Sequence, residues 1–196
     1  MRFGPLIFSA LTLVAHAVQA KTIGFEDVAV VSSSALLPPD YQGFVWSGAY
    51  SDQSWIVSSS TSNSGFSGTV AHSGSNFAWS NGGGELDLTA ADGGDFDFLG
   101  MWARGGAGDI HFLAHAYRNG VEVYDQLVQH DMDYSQDTFG FLDVDRVVFD
   151  AQGANMLIDD INIVRTVAEP SSLALMLGGA FAAGTIARRR RTRAGI

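Results

Sequence analysis

Hydrophobic and polar residues alternate with a period of two through much of the middle of the chain. Glu85 to Leu88, Asp95 to Phe98 and Ile110 to Tyr117 each place apolar side chains at alternate positions. Successive side chains of a strand point to opposite faces of a sheet, so this alternation predicts half-buried β-strands. A sustained helical period of about 3.6 residues is absent before the C-terminal tail.

Turn residues separate these segments and extend the prediction. Asn119-Gly120 lies between two strand-like runs and predicts a hairpin closed by a type I′ turn. Val144 to Asp150 and Met156 to Val164 predict two further strands. Glycine and serine crowd residues 58–84, which predicts long loops around one or two short strands. The whole pattern is typical of an all-β fold, an antiparallel β-sandwich with jelly-roll-like topology.

The first 20 residues have the pattern of a secretory signal peptide. Arg2 supplies a positive start, Phe3 to Val14 is mostly apolar, and a small-residue cleavage pattern ends at Ala20. We expect cleavage after Ala20, so that Lys21 becomes the first residue of the exported protein. Residues 21–165 then form one β-sandwich domain, whose length fits a single hydrophobic core.

Residues 166–196 form a tail of a different kind. Pro170 precedes an uncharged stretch from Leu173 to Ala187. At ~1.5 Å per residue this stretch is roughly 22 Å long, and it predicts a transmembrane helix over about residues 172–187. The helix is followed by four consecutive arginines: Arg188, Arg189, Arg190 and Arg191. This basic end, residues 188–193, places the C-terminus on the cytoplasmic side. The alternative is a buried helix followed by a basic end.

The order of these elements resembles the PEP-CTERM sorting signal of exported bacterial proteins, in which a Pro-Glu-Pro-like motif precedes a short hydrophobic span and an arginine-rich end. The motif is here Ala168-Glu169-Pro170, with alanine in place of the first proline. The resemblance implies that an exosortase-type enzyme recognises the motif and removes the tail. It also implies a protein anchored in the inner membrane, with its domain outside the cytoplasm, and released to the cell surface or matrix after processing.

The predicted domain is strongly acidic. The whole chain has a formal net charge of −10, but residues 21–165 contain 5 basic and 20 acidic residues, a net charge of −15. This charge excludes nucleic acid and anionic lipid as expected partners of the domain, and it suits cations or neutral glycans. The chain has no cysteine, which excludes disulfides, thiol catalysis and Cys-zinc sites.

Two acidic residues at opposite ends of the domain are candidate calcium ligands. The domain begins with the sequence GFED, which contains Glu26, and ends with LIDDINI, which contains Asp159. This combination is similar to carbohydrate-binding-module and galactose-binding-like jelly rolls, and also to MAM-type domains. The resemblance implies that the two strands lie near each other and that Glu26 and Asp159 help to hold a structural calcium ion.

Strand geometry gives separate support for this site. In a regular strand Leu157, Asp159 and Ile161 share one face. That face is otherwise apolar, so we expect Asp159 to point into the sandwich, where an unpaired carboxylate costs several kcal/mol. Calcium accepts carboxylate oxygens as ligands. The alternative is that Asp159 caps backbone amides while Glu26 faces solvent.

Tryptophans in loop-like segments are the candidate ligand-binding residues. Trp55 follows the polar sequence SDQS and is the tryptophan most expected to be exposed, with Trp46 as the second candidate. An exposed aromatic ring beside carboxylates suits the C–H faces and hydroxyls of a sugar. The alternative is that both tryptophans fill the core of the sandwich.

Catalytic patterns are weak. His111 and His115 would stand roughly 13 Å apart on a strand, at ~3.3 Å per residue, which is too far for one metal ion. His130-Asp131 and the many serines lack the G-x-S-x-G motif. We therefore expect an exported, noncatalytic envelope or matrix protein that binds polysaccharide, such as an exopolysaccharide. The alternatives are a structural or adhesive surface protein without a sugar site and, third, an envelope glycosidase.

Overall fold

A computed structural model describes residues 16–31, 34–48, 55–60, 70–80 and 85–168. Almost all of them belong to one of two units in the chain, Gln19–Arg165. The predicted signal peptide up to residue 15 and the predicted sorting tail beyond Ala168, including its transmembrane helix, lie outside the described residues. Among the residues described, no helix is long and apolar enough to cross a membrane.

Two antiparallel sheets form a sandwich, as the alternating pattern predicts. The seven-stranded sheet contains β1 His16–Ile23, β2 Ser34–Leu36, β4 Ile56–Ser59, β5 Asn76–Trp79, β7 Phe96–Gly105, β10 Ser135–Val144 and β12 Met156–Ala168. The five-stranded sheet contains β3 Phe44–Gly48, β6 Glu85–Ala90, β8 Ile110–Arg118, β9 Val121–His130 and β11 Arg146–Asp150. Apart from a 3-10 turn at Tyr41–Gly43, the described part of the chain contains no helix.

The order of strands follows from long-range pairing rather than from chain order. In the seven-stranded sheet the order is β10-β7-β12-β5-β4-β2, and β1 also pairs with β12. In the five-stranded sheet the order is β3-β6-β11-β8-β9. From β5 onward, successive strands pass repeatedly from one sheet to the other. The beginning and the end of the domain therefore meet in the same sheet.

Inward-facing residues of both sheets fill the main hydrophobic core. Burial alternates along β6 and β8, whose inner residues are covered by the opposite sheet. The largest fully buried side chains are mostly aromatic: Trp55, Phe25, Phe44, Phe77, Phe98, Phe112 and Phe149. The rings of Trp55, just before β4, and Phe149, in β11, meet edge to face with centroids 6.3 Å apart. Burial of such large rings removes much apolar surface from water, which is the main favourable term in folding.

The predicted hairpin is confirmed. β8 and β9 pair antiparallel across Asn119-Gly120. Both turn residues have positive φ, 52° and 75°, as a type I′ turn requires. The strands predicted after Val144 and from Met156 are also present, whereas β2, β3 and β10 lack a clear sequence signal and are additions to the predicted set.

A bulge in β12 changes the predicted alternation of its side chains. Asp160 has φ 45°, and the pairing of β12 with β7 shifts register after Asp159. Ile158 before the bulge and Ile161 after it both belong to the main core, whereas Leu157 lies in a separate cluster. The predicted single face through Leu157, Asp159 and Ile161 is therefore wrong. Asp159 lies on the same side of β12 as Leu157, opposite the main core.

Candidate functional site

Asp159 is buried beneath the loop that precedes β5, on the outer side of the seven-stranded sheet. It has no exposed surface (0%). Its Oδ2 accepts a hydrogen bond from the backbone N–H of Ser73 at 3.0 Å, and its Oδ1 accepts one from the backbone N–H of Asp160 at 2.8 Å. Burial raises the pKa of Asp159 to about 6, because loss of water disfavours the charged carboxylate.

Glu26 binds the other end of the same loop. Its Oε1 accepts hydrogen bonds from the backbone N–H groups of Ser75 at 2.9 Å and Asn76 at 2.7 Å. The carboxylate lies against Gly74, which has φ +58°. Residues 72–76, which we call the bridging loop, therefore contact both predicted calcium ligands. The sequence contained no signal for this loop beyond its glycine and serine content.

The segment that carries Glu26 is fixed by hydrogen bonds on both sides. Asn76 Nδ2 donates to the backbone carbonyl of Phe25 at 2.9 Å. The Tyr41 hydroxyl donates to a carboxylate oxygen of Asp27. Because Phe25 is itself buried in the main core, the position of Glu26 is set by the core packing and not by solvent.

The donor set at Glu26 and Asp159 fits a calcium ion in part. Both side chains offer carboxylate oxygens, and each carboxylate has more lone pairs than the backbone amides use. The amide contacts of Asp159 match the alternative in which it caps backbone groups. Within the described ranges, no group of three metal-ligating side chains within 4.8 Å of one another includes either residue. A calcium ion here would need backbone carbonyls or water as further ligands.

Asp160 and His72 extend this cluster across the outer side of the sheet. Asp160 Oδ2 lies 2.7 Å from His72 Nδ1, and Asp160 Oδ1 accepts a hydrogen bond from Ser73 Oγ at 2.9 Å. The His72 ring stacks on Trp102 with centroids 3.8 Å apart. Beside them the Tyr134 hydroxyl is buried and has no hydrogen-bond partner among the described residues, and burial raises its pKa. Sequence reasoning missed this cluster, because its members come from four separate segments.

The two predicted sugar-binding tryptophans lie in the core. Trp55 is 0% exposed and Trp46 is 3% exposed, and their rings meet edge to face with centroids 5.4 Å apart. Trp46 Nε1 donates to the backbone carbonyl of Tyr41 at 2.8 Å, which satisfies the only polar atom of its ring. The expected exposure of Trp55 and Trp46 is therefore wrong. Burial of a large apolar ring between the sheets stabilises the folded state strongly, and the polar sequence before Trp55 does not outweigh this.

The outer side of the five-stranded sheet carries polar side chains on all five strands, around the apolar Val148. The strand registers align one row across all five strands: Ser47, Asp87, Val148, His115 and Asp125. The neighbouring row contains Thr89, Arg146, Tyr117 and Glu122. We use the name outer polar face for six of these residues: Asp87, His115, Tyr117, Glu122, Asp125 and Arg146.

Arg146 and Tyr117 lie at the centre of the outer polar face. Arg146 Nη2 donates to both carboxylate oxygens of Asp87, at 2.8 and 2.9 Å. The guanidinium carbon of Arg146 lies 5.3 Å from the centroid of the Tyr117 ring, a cation–π contact. The Tyr117 hydroxyl donates to Glu122 Oε2 at 3.3 Å. Burial, and then the negative charge of Glu122, raises the pKa of Tyr117, so its hydroxyl remains a donor at neutral pH.

A Ser-His-Asp arrangement joins β9 to β10. His130 Nε2 lies 2.8 Å from Asp137 Oδ2, and His130 Nδ1 lies 2.7 Å from Ser135 Oγ, both within hydrogen-bond distance. The His130 side chain is only 1% exposed and stacks on Phe112. A general base must reach the proton that it removes, and this imidazole is enclosed by protein. The arrangement therefore stabilises the connection between the two strands.

Comparisons with known proteins identify similar structures but no family. No family model and no curated protein sequence matches the chain. The cleaved adhesin domain K2 of Lys-gingipain is 16% identical, with a TM-score of 0.46 over 74% of this chain and 97% of that domain. A Stig cyclase from Fischerella sp. TAU is 13% identical, with a TM-score of 0.44 over 76% of this chain and 100% of the cyclase.

Several similar structures are carbohydrate-binding modules. The xylan-binding domain from Paenibacillus barcinonensis Xyn10C is 16% identical, with a TM-score of 0.41 over 81% of this chain and 100% of that domain. An adhesin domain, an enzyme and a glycan-binding module are thus all similar to this chain at a comparable level. Similarity of this extent assigns none of their activities to it.

Proposed function

We propose that the chain is an exported, noncatalytic protein of the cell envelope or extracellular matrix whose β-sandwich binds polysaccharide. The observation that carries this proposal is the outer polar face. Its Tyr117 ring offers an apolar surface for a sugar ring, and Asp87 and Arg146 offer acceptors and donors for sugar hydroxyls. The two hydrogen bonds from Arg146 Nη2 to Asp87 already restrain both side chains, so binding costs less side-chain entropy.

The charge of the domain favours a neutral polysaccharide. With 5 basic and 20 acidic residues between positions 21 and 165, the domain repels polyanions. Arg146 is the only arginine or lysine among the six residues of the outer polar face, and its charge is already paired with Asp87. We therefore infer that neutral glycans bind better than acidic ones such as alginate.

The calcium part of the proposal rests on Glu26 and Asp159. Support comes from the complete burial of Asp159, whose charged form is unfavourable without a nearby cation. The bridging loop contacts both carboxylates, so one ion held by both would connect the beginning and the end of the domain. We also infer a jelly-roll-like topology, because successive strands pass repeatedly from one sheet to the other.

The sorting part of the proposal rests on sequence. It comprises a signal peptide at residues 1–20, recognition of Ala168-Glu169-Pro170 by an exosortase-type enzyme, and anchoring in the inner membrane by the helix at about 172–187. Intact-mass measurement of the protein recovered from producing cells tests it. Loss of the tail from the parent but not from Glu169→Ala is expected, and an uncut parent would contradict the exosortase assignment.

Cosedimentation tests polysaccharide binding. The purified chain is mixed with insoluble xylan, with alginate gel and with the exopolysaccharide of the producing organism, each in calcium and in EDTA. We expect Tyr117→Ala and Asp87→Asn to weaken binding about tenfold, which corresponds to ~1.4 kcal/mol. Leu99→Ala changes an exposed apolar residue on the other sheet, away from the Asp159 cluster, and is the control. If the parent binds no polysaccharide in either buffer, the structural or adhesive alternative replaces this proposal.

A further inference from the structure

A bulge in β9 brings two acidic residues to the same side of the sheet. Glu122 and Asp125 are three positions apart, so in a regular strand they would face opposite sides. The pairing of β8 with β9 shifts by one residue, so that His115 pairs with Asp125 while Tyr117 pairs with Glu122. His115 and Tyr117 both face outward on β8, and the bulge therefore directs both acids to the outer polar face.

The three side chains converge at the spacing of metal ligands. His115 Nδ1 lies 3.4 Å from Glu122 Oε2 and 3.6 Å from Asp125 Oδ1, and all three atoms lie within 4.8 Å of one another. His115 Nδ1 forms no hydrogen bond with either carboxylate, so these are distances of an ion pair or of ligands that share one ion. Two atoms that each lie about 2.1 Å from a tetrahedral Zn²⁺ are about 3.4 Å apart.

The imidazole nitrogen at the centre of the cluster is unsatisfied. His115 Nδ1 is inaccessible to solvent and has no hydrogen-bond partner among the residues that the structure describes. A buried polar atom without a partner is costly, and a metal ion bound to Nδ1 would remove that cost. Tyr117 donates its hydroxyl to Glu122 Oε2 and so orients this carboxylate, as outer partners of metal ligands commonly do.

We propose that His115, Glu122 and Asp125 bind one divalent transition-metal ion of the Zn²⁺ class. An imidazole ligand favours such ions over Ca²⁺ and Mg²⁺, which prefer oxygen ligands alone. Three protein ligands leave at least one coordination position open toward the partly exposed outer polar face. The site is distinct from the Glu26 and Asp159 site on the other sheet, and it does not depend on polysaccharide binding.

Isothermal titration with ZnCl₂ tests the site on the untagged full chain in mild detergent, after EDTA treatment and dialysis. We expect one zinc ion per chain. His115→Ala, Glu122→Gln and Asp125→Asn should each weaken zinc binding by at least about tenfold. His111→Ala is the matched control, because His111 lies on the same face of β8 but pairs with Gln129 instead of an acid.

The titration separates the possible results. Absence of saturable zinc binding by the parent overturns the proposal. An equal loss of zinc affinity in His111→Ala and His115→Ala also overturns it. Unchanged affinity in Glu122→Gln and Asp125→Asn overturns it too. These two variants keep the size of exposed side chains and should fold as the parent does. If their circular dichroism spectra match that of the parent, weaker zinc binding results from the loss of a metal ligand and not from unfolding. No sugar is present, so a negative result concerns the metal site and leaves the polysaccharide proposal untouched.

Discussion

The carboxylate of Glu26 occupies the space that a side chain on residue 74 would need. A Cβ built on Gly74 would lie 2.4 Å from Glu26 Cδ and 2.6 Å from its Oε1. The same Oε1 accepts the backbone N–H groups of Ser75 and Asn76. Gly74 also has φ +58°, a conformation that costs other L-residues energy. Glycine is thus required here for its backbone and for its lack of a side chain.

Gly74→Ala should lower the free energy of unfolding by about 3 kcal/mol, from backbone strain plus the two hydrogen bonds that Glu26 would lose. Gly93→Ala is the matched control, because Gly93 has φ +72° and nothing lies within 4 Å of its added Cβ. The control should lose only about 1 kcal/mol. Urea unfolding of both variants measures the difference, and equal losses would contradict a role for the Glu26 contact.

Calcium should raise the melting temperature of the parent, and Asp159→Ala should abolish that rise, because the variant lacks one of the two proposed carboxylate ligands. Differential scanning calorimetry in calcium and in EDTA measures the effect. Asp109→Ala, at an exposed position, is the control that should respond as the parent does. A calcium response of Asp159→Ala as large as the parent's would show that Asp159 is not a ligand.

Asp159 should make stability fall as pH rises in EDTA. Its pKa is raised from 3.8 to about 6 in the folded protein. The folded state therefore favours the protonated carboxyl, and the stability that this contributes is complete below about pH 4 and is lost as pH rises through 6. The change amounts to about 3 kcal/mol.

Comparison with Asp159→Asn isolates this carboxyl from the other acids of the domain. The variant cannot ionise at this position, so relative to the parent its unfolding free energy should gain about 3 kcal/mol between pH 4 and 7, whatever the other acids contribute. Urea unfolding at several pH values across this range gives the unfolding free energy of each protein as a function of pH, and the slopes of the two curves are then compared. Parallel slopes for the two proteins would mean that Asp159 titrates normally.

Trp55→Ala should destabilise the domain by about 3–5 kcal/mol, because it opens a cavity between the sheets where Trp55 meets Trp46 and Phe149. Trp55→Phe should cost much less. It keeps most of the apolar volume and removes an indole N–H that is buried without a hydrogen bond to any described residue. Chemical unfolding compares the two variants, and cosedimentation of Trp55→Phe should match the parent. Loss of glycan binding in that stable variant would return Trp55 to the list of ligand-binding residues.

Local signals in the sequence were sufficient for the all-β class and for the best-defined turn. The type I′ turn at Asn119-Gly120 depends only on two adjacent residues that tolerate positive φ, and alternation needs only neighbours along one strand. The sequence argument for burying Asp159 assumed a face shared with Leu157 and Ile161 and directed toward the main core. The structure buries Asp159 on the opposite side, beneath the bridging loop, because the bulge at Asp160 depends on pairing with β7.

The remaining errors arise from contacts between distant segments. Nothing near Trp55 in the chain shows that Phe149 will cover it, so the polar sequence before Trp55 suggested exposure. His115 illustrates the opposite error. Its spacing from His111 argued only against a two-histidine metal site, whereas its neighbours Glu122 and Asp125 come from the next strand and depend on a bulge that the sequence pattern does not reveal.

β9 is the last strand of the five-stranded sheet, and no other described strand pairs with its far side. It also exposes three apolar side chains: Val121, Val123 and Leu127. An open strand of this kind is a template on which a second copy of the chain can add its own strand. Glu122 and Asp125 interrupt the apolar residues and would meet like charges in such a pairing. Repulsion between these carboxylates would disfavour that pairing, so neutralising them, by substitution or by a bound cation, should lower a barrier to aggregation.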